Sequence, residues 1–209
     1  GGYLGSPVKY NHRLRYRSDH ISVNLTQDKD PGESLTGPSD FDFTSWHVAI
    51  EDLGLLENLI VGDFRVSYGQ GLTLWNGGAF GKSSNIIGSA IKNDPGIRPY
   101  TSYQETNGFR GIAATVGRQF QLSGFYSNRS RTASETEEGF VRFPTSSGLH
   151  RTTNESNRRL NLNQETIGGR VRYQTAYAII GVSGYHNLFN QTVEKGTQPY
   201  QLFGFEGRK

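Results

Sequence analysis

Apolar and polar residues alternate with a period of two along most of the chain. Val8, Tyr10, His12, Leu14 and Tyr16 share one parity, and Lys9, Asn11, Arg13, Arg15 and Arg17 the other. Successive side chains of an extended strand point to opposite faces, so each set lines one side. The pattern recurs with Ile21, Val23 and Leu25 against Ser22, Asn24 and Thr26, and with Trp46, Val48 and Ile50 against His47, Ala49 and Glu51. Ile60, Gly62, Phe64, Val66 and Tyr68 then alternate with Val61, Asp63, Arg65, Ser67 and Gly69. Three later runs repeat it: Ile112, Ala114 and Val116; Phe120, Leu122, Gly124 and Tyr126; and Ile167, Gly169, Val171 and Tyr173. The stretch from Tyr177 to Tyr185 is apolar on both parities, so it reads as a strand with unassigned faces. A ninth strand begins within 200–205.

The links between these runs add a second signal. They are short near Ser18-Asp19, between Asp52 and Glu57, at Gly117-Arg118-Gln119 and at Gln174-Thr175-Ala176. They are long and polar over 28–42, 75–107, 128–165 and 187–198. Short and long links therefore alternate. In an up-and-down sheet, alternate links lie at opposite ends, so the short turns gather at one end and the long loops at the other. An outer-membrane barrel has that layout, whereas the connections of a sandwich need not sort this way.

Composition agrees with an all-β chain. Of 209 residues 27 are Gly, and 12% are aromatic. The net charge is only +3, with no basic cluster, which gives no ground for a nucleic-acid partner. With no Cys, a disulfide framework, a thiolate zinc site and a thiol nucleophile are all excluded. No apolar run approaches the ~18 residues of a spanning helix, but a barrel strand needs only about 9–11 alternating residues. The missing Met suggests a piece of a longer chain.

These readings together predict an antiparallel up-and-down transmembrane β-barrel, or an incomplete part of one, with residues 1–209 forming a single barrel segment. The expected setting is the lipid bilayer of a bacterial outer membrane, with no cofactor, no metal, no catalytic step and unknown protein partners. Val23, Val48, Phe64, Val66, Ile112 and Val171 should face lipid. Tyr10, Tyr16, Tyr68, Tyr126 and Tyr173 should form an aromatic girdle. The opposite parity carries Arg13, Arg15, Asp63, Arg65, Arg170 and Arg172, which should form a charged lumen wall. That wall would favour anions if the lumen is open and would be consumed in salt bridges if it is plugged. The plugged case fits better, because the long 75–107 segment, with Lys82 and Arg98, must go somewhere. It should pack inward with Lys82 or Arg98 paired to a carboxylate. The competing expectation is a soluble all-β module that binds a carbohydrate or another ligand.

Other motifs are weak. Asn76-Gly77-Gly78-Ala79-Phe80-Gly81-Lys82-Ser83 approaches a phosphate-binding loop, but Asn76 stands where the first Gly belongs and no convincing helix follows. His12, His20, His47, His150 and His186 include no pair at metal-ligand spacing.

One block carries a family resemblance. The run from Gly62 through Gly69-Gln70-Gly71-Leu72-Thr73-Leu74-Trp75-Asn76-Gly77-Gly78 to Ser84 resembles a segment of large outer-membrane proteins of Gram-negative bacteria. In that family an N-terminal helix-hairpin-helix region precedes a C-terminal β-barrel. Gly96-Ile97-Arg98-Pro99-Tyr100-Thr101-Ser102 and Phe109-Arg110-Gly111 are similar to the segments that follow. No helix-hairpin-helix pattern is visible here. The resemblance therefore strengthens the barrel reading and carries over no DNA-related role and no catalytic residues; the expected function is that of an outer-membrane pore, transport scaffold or assembly component.

Overall fold

A computed structural model describes residues 4–33, 41, 43–71, 74, 94–102, 108–135, 141–142, 152, 160–191 and 203–208. Among them every regular element is a strand: β1 (Tyr10–Arg17), β2 (Ile21–Lys29), β3 (Phe43–Leu53), β4 (Leu56–Ser67), β5 (Gly96–Pro99), β6 (Phe109–Gly117), β7 (Phe120–Arg131), β8 (Ser134–Glu135), β9 (Val141–Arg142), β10 (Leu162–Gln174), β11 (Ile179–Phe189) and β12 (Phe203–Arg208). Nine of these form one up-and-down antiparallel sheet in the order β1-β2-β3-β4-β6-β7-β10-β11-β12. β5 adds to β4, and β8 pairs with β9 in a separate ribbon. The sheet has edges at β1 and β12 and is not closed into a barrel.

The alternation of links holds. The sheet strands are joined by short turns at 18–20, 54–55, 118–119 and 175–178, and by long connections at 30–42, 68–108, 132–161 and 190–202. Turn chemistry explains the short ones. Gly117 adopts φ of +102°, and a Cβ there would lie 1.9 Å from the Phe120 carbonyl, so only glycine closes this turn without strain. At the last turn, the Thr175 hydroxyl accepts the amides of Tyr177 and Ala178 at 3.2 and 2.9 Å.

Register converts the alternation into two faces. One row runs across seven strands through directly paired residues: Tyr16, Val23, Val48, Val61, Ile112, Tyr126 and Ile167. These side chains form the outer, apolar face. A second outer row joins Val116, Leu122, Val171 and Val182. One residue along each strand, the row Arg15, Asn24, His47, Gly62, Gly111, Ser127, Thr166 and Asn187 lines the inner face. Exposure is inverted relative to a soluble sheet: Val61, Ile112 and Ile167 are 42%, 49% and 60% exposed, whereas Asn24, His47 and Thr166 are at most 2% exposed.

β4 departs from its expected orientation. Phe64, Val66 and Tyr68 are fully buried and Val61 is exposed, so the faces of this strand are swapped. Phe64 and Val66 therefore do not join the outer face, and Tyr68 does not join the aromatic girdle. Arg65 is exposed on the side away from Phe64 and Val66, and does not belong to the inner charged set. The cause lies in pairing. β4 runs beside β3 only as far as Gly62, and from Phe64 to Ser67 it pairs with β5. Gly62 permits the departure, with φ of +106° and only 2.3 Å between a would-be Cβ and the Trp46 carbonyl. β5 brings Ile97, and the swapped face meets it. Ala49, Ile60, Phe64, Val66, Tyr68, Ile97, Ala113 and Phe125 form one buried apolar cluster on the inner face. Phe64, Phe109 and Phe125 contact one another with centroids 5.2–5.9 Å apart, within the range of favourable aromatic pairs.

Candidate functional site

The inner face is crossed by residues 94–102, the described part of the long connection between β4 and β6. Four strands hold this segment. Asn58 of β4 donates its amide to the Ile97 carbonyl at 3.1 Å. His47 of β3 lies with Nδ1 3.1 Å from the Tyr100 carbonyl, an arrangement that only a protonated Nδ1 satisfies. Arg13 of β1 donates to the Thr101 carbonyl at 3.1 Å. Arg170 of β10 grips Asp94 through two bonds of 2.8 and 2.7 Å. These residues lie against the inner face, and 75–93 and 103–107 of the same connection lie outside the described residues. Arg98 has its guanidinium 3.8 Å from the Glu51 carboxylate. Lys82 lies outside the described residues, as does the 76–83 run.

The Arg170–Asp94 pair is the electrostatic centre of the site. The two side chains are 4% and 12% exposed, and the planar fork geometry suits a charge-assisted bidentate bond. The Arg170 guanidinium also sits 5.2 Å from the Tyr68 ring centroid, a cation–π distance. The network then continues toward the short-turn end. Arg172 donates to Gln121 at 2.7 Å, and Gln121 donates to Glu57 at 2.6 Å. There it meets an open polar cleft of about 300 Å³ lined by Asp52, Glu57, Arg118 and Gln121.

A second charged knot lies at Asp63. Arg110 binds both carboxylate oxygens at 2.7 and 2.8 Å and also donates to the Thr44 carbonyl. The Trp46 amide donates to the same carboxylate at 3.0 Å, and the Asp63 carbonyl accepts the Tyr100 amide at 2.9 Å. Asp63 thus ties β3, β4, β6 and the inner segment together where β4 parts from β3. Burial pushes the Tyr100 phenol above its ordinary pKa, so it stays neutral through the physiological range.

The expected charged set is divided by this geometry. Arg170 and Arg172 are brought together by Asp94, with Arg172 Nε 4.0 Å from it. Arg13 and Arg15 stand on the same side as Thr26 and Asn24, on the edge strand. Asp63 belongs to the separate Arg110 knot, and Arg65 to neither. Sequence reasoning did not single out Asp94, Arg110 or His47 as partners. Asp94 lies in a loop without periodicity, and in the sequence only the two arginines of β10 hint at such a carboxylate.

The chain matches no protein-family profile, no curated protein and no solved structure.

Proposed function

We propose that this chain forms the wall of a bacterial outer-membrane β-barrel whose lumen is occupied by its own 94–102 segment. It then acts as a transport scaffold or gated passage rather than a freely open pore. One observation carries the reading: among the described residues, the outer rows of a single-layer sheet expose Val, Ile, Leu and Tyr side chains, while Asn24, His47, Ser127 and Thr166 of the opposite face are buried. Soluble monomers seldom expose large contiguous apolar patches, so rows of this kind are disfavoured in water. Against lipid tails they cost nothing, while the backbone stays paired within the sheet. The polar inner face, the sorted short and long links, and exposed aromatics near the short-turn end support the same reading. Those aromatics are Tyr16, Phe120, Tyr173 and Tyr177. The resemblance of the Gly62–Ser84 run to outer-membrane barrels adds to it.

A soluble sandwich needs a second sheet over the apolar face. Among the described residues, the only other sheet is the two-stranded β8–β9 ribbon. The deciding experiment is folding with and without amphiphile. The chain should acquire β circular dichroism and heat-modifiable electrophoretic migration in detergent micelles, and aggregate without them. A folded monomer in plain aqueous buffer would overturn the membrane reading.

A further inference from the structure

We propose that the β1 edge accepts one more antiparallel strand, from outside the nine of the sheet, that is apolar on its lipid side and acidic on its lumen side. The inference rests on the barrel reading and goes beyond it. Its first ground is direction. Nine strands alternate in direction along the sheet, so β1 and β12 run the same way. Joining them directly would make a parallel pair in an otherwise antiparallel sheet. All-antiparallel closure requires an even strand number, as in single-chain bacterial barrels. An odd number of further strands therefore completes the ring, and the smallest such number is one.

The second ground is charge. On β1, Arg15 and Arg17 follow Arg13 along the inner side at i, i+2, and every residue of the strand is exposed. Opposite them, β2 offers only neutral residues: Thr26, Asn24 and Ser22. Arg13 reaches the Thr101 carbonyl, but no carboxylate faces Arg15 or Arg17 from the paired strand. Directly opposed charges of opposite sign stabilise strand pairing, and like charges oppose it. A strand on the free edge with Asp or Glu at its inner positions meets both arginines. A second copy of this chain does not fit. Inserted with the same membrane orientation, it brings up β1 or β12 running in the parallel sense, and a second β1 would set arginine against arginine.

The outer side of β1 fixes the other half of the partner. Leu14 and Tyr16 are each 59% exposed and continue the apolar rows of β2 and β3 through Leu25 and Trp46 and through Val23 and Val48. The incoming strand must extend those rows to keep lipid away from polar atoms.

The test uses the full-length protein in its native membrane. Amide exchange of β1 should show protection at the edge-facing N–H groups as well as at those bonded to β2. Arg15→Glu with Arg17→Glu should lower the edge protection about tenfold, and the Lys variants should preserve it. Because the chain lacks Cys, Leu14→Cys can be combined in turn with Phe203→Cys, Phe205→Cys and Gly207→Cys. A disulfide needs Cα atoms within about 4.4–6.8 Å, so it forms only if β1 and β12 are direct neighbours. Full edge protection without a disulfide is the expected result. Free exchange of the edge-facing amides, or a disulfide, would overturn the proposal. Oxygen accessibility at Val48, read on the same samples, separates these outcomes from failure of the membrane reading, since it stays high in either case if the outer face lies in lipid.

Discussion

At the scale of single residues, a few groups have surroundings that leave no alternative. Arg170 and Asp94 are buried together, so removing one strands the other charge. Asp94→Ala should destabilise the folded protein by about 3–5 kcal/mol, the usual cost of breaking a buried pair. The Arg170→Met, Asp94→Ala double variant should recover part of that loss, because no charge is then left buried. Urea midpoints in lipid vesicles would measure both. Strictly additive losses would show that the pair is not coupled. Glycines give a sharper contrast. Gly62→Ala places a Cβ 2.3 Å from the Trp46 carbonyl at φ of +106°, and should cost about 1–3 kcal/mol or more. Gly124 lies on the outer face with nothing within 4 Å of a Cβ, so Gly124→Ala should be neutral or slightly stabilising. The same urea midpoints check this pair, and equal effects would contradict the assigned faces.

At the scale of elements, most strands were legible and one was not. β2, β3, β6, β7 and β10 carry their Val and Ile, with Leu25 and Leu122, on the outer parity and most of their Ser, Thr and Asn on the inner one, so alternation assigned their faces even though Ala49, Phe109, Ala113 and Phe125 lie inside. β4 carries apolar residues on both parities. Ile60, Phe64 and Val66 lie on one, Val61 on the other, and Asp63 and Arg65 tip the balance toward a polar reading of the Val61 side. What decides the matter is tertiary: β5 lays Ile97 against Phe64 and Val66, and Arg110 neutralises Asp63. Neither partner can be read from the strand itself. The inner segment was legible only as an excess of length and charge, and its docking through Asp94 and the Tyr100 carbonyl was not, because irregular backbone has no period. The swap makes a direct prediction. Val61→Arg should cost about 2–4 kcal/mol if midplane lipid surrounds it. Phe64→Ala should cost about 3–5 kcal/mol by leaving a cavity in the aromatic cluster. Equilibrium unfolding in bilayers distinguishes these from the reverse assignment, in which Phe64→Ala is nearly silent.

At the scale of the whole molecule, the sheet is a surface with its ordinary polarity reversed. Its inner face carries hydrogen-bonded polar rows, one apolar cluster and a segment fastened to four strands. That arrangement predicts little ionic conductance from the intact protein in planar bilayers. Asp94→Ala, which frees the segment from β10, should raise conductance, with a preference for anions set by Arg170 and Arg172. A large cation-selective conductance in the unaltered protein would contradict the occupied, basic lumen. The location of the outer face can be measured most directly with spin labels placed one at a time at Val48, Val61, Ile112 and Val171 in lipid bilayers. With lipid on that face, each label collides readily with dissolved oxygen and poorly with a water-soluble nickel complex, while a label at Ser127 does not share the oxygen signature. Greater access to the nickel complex at the four outer positions would contradict a membrane-facing sheet.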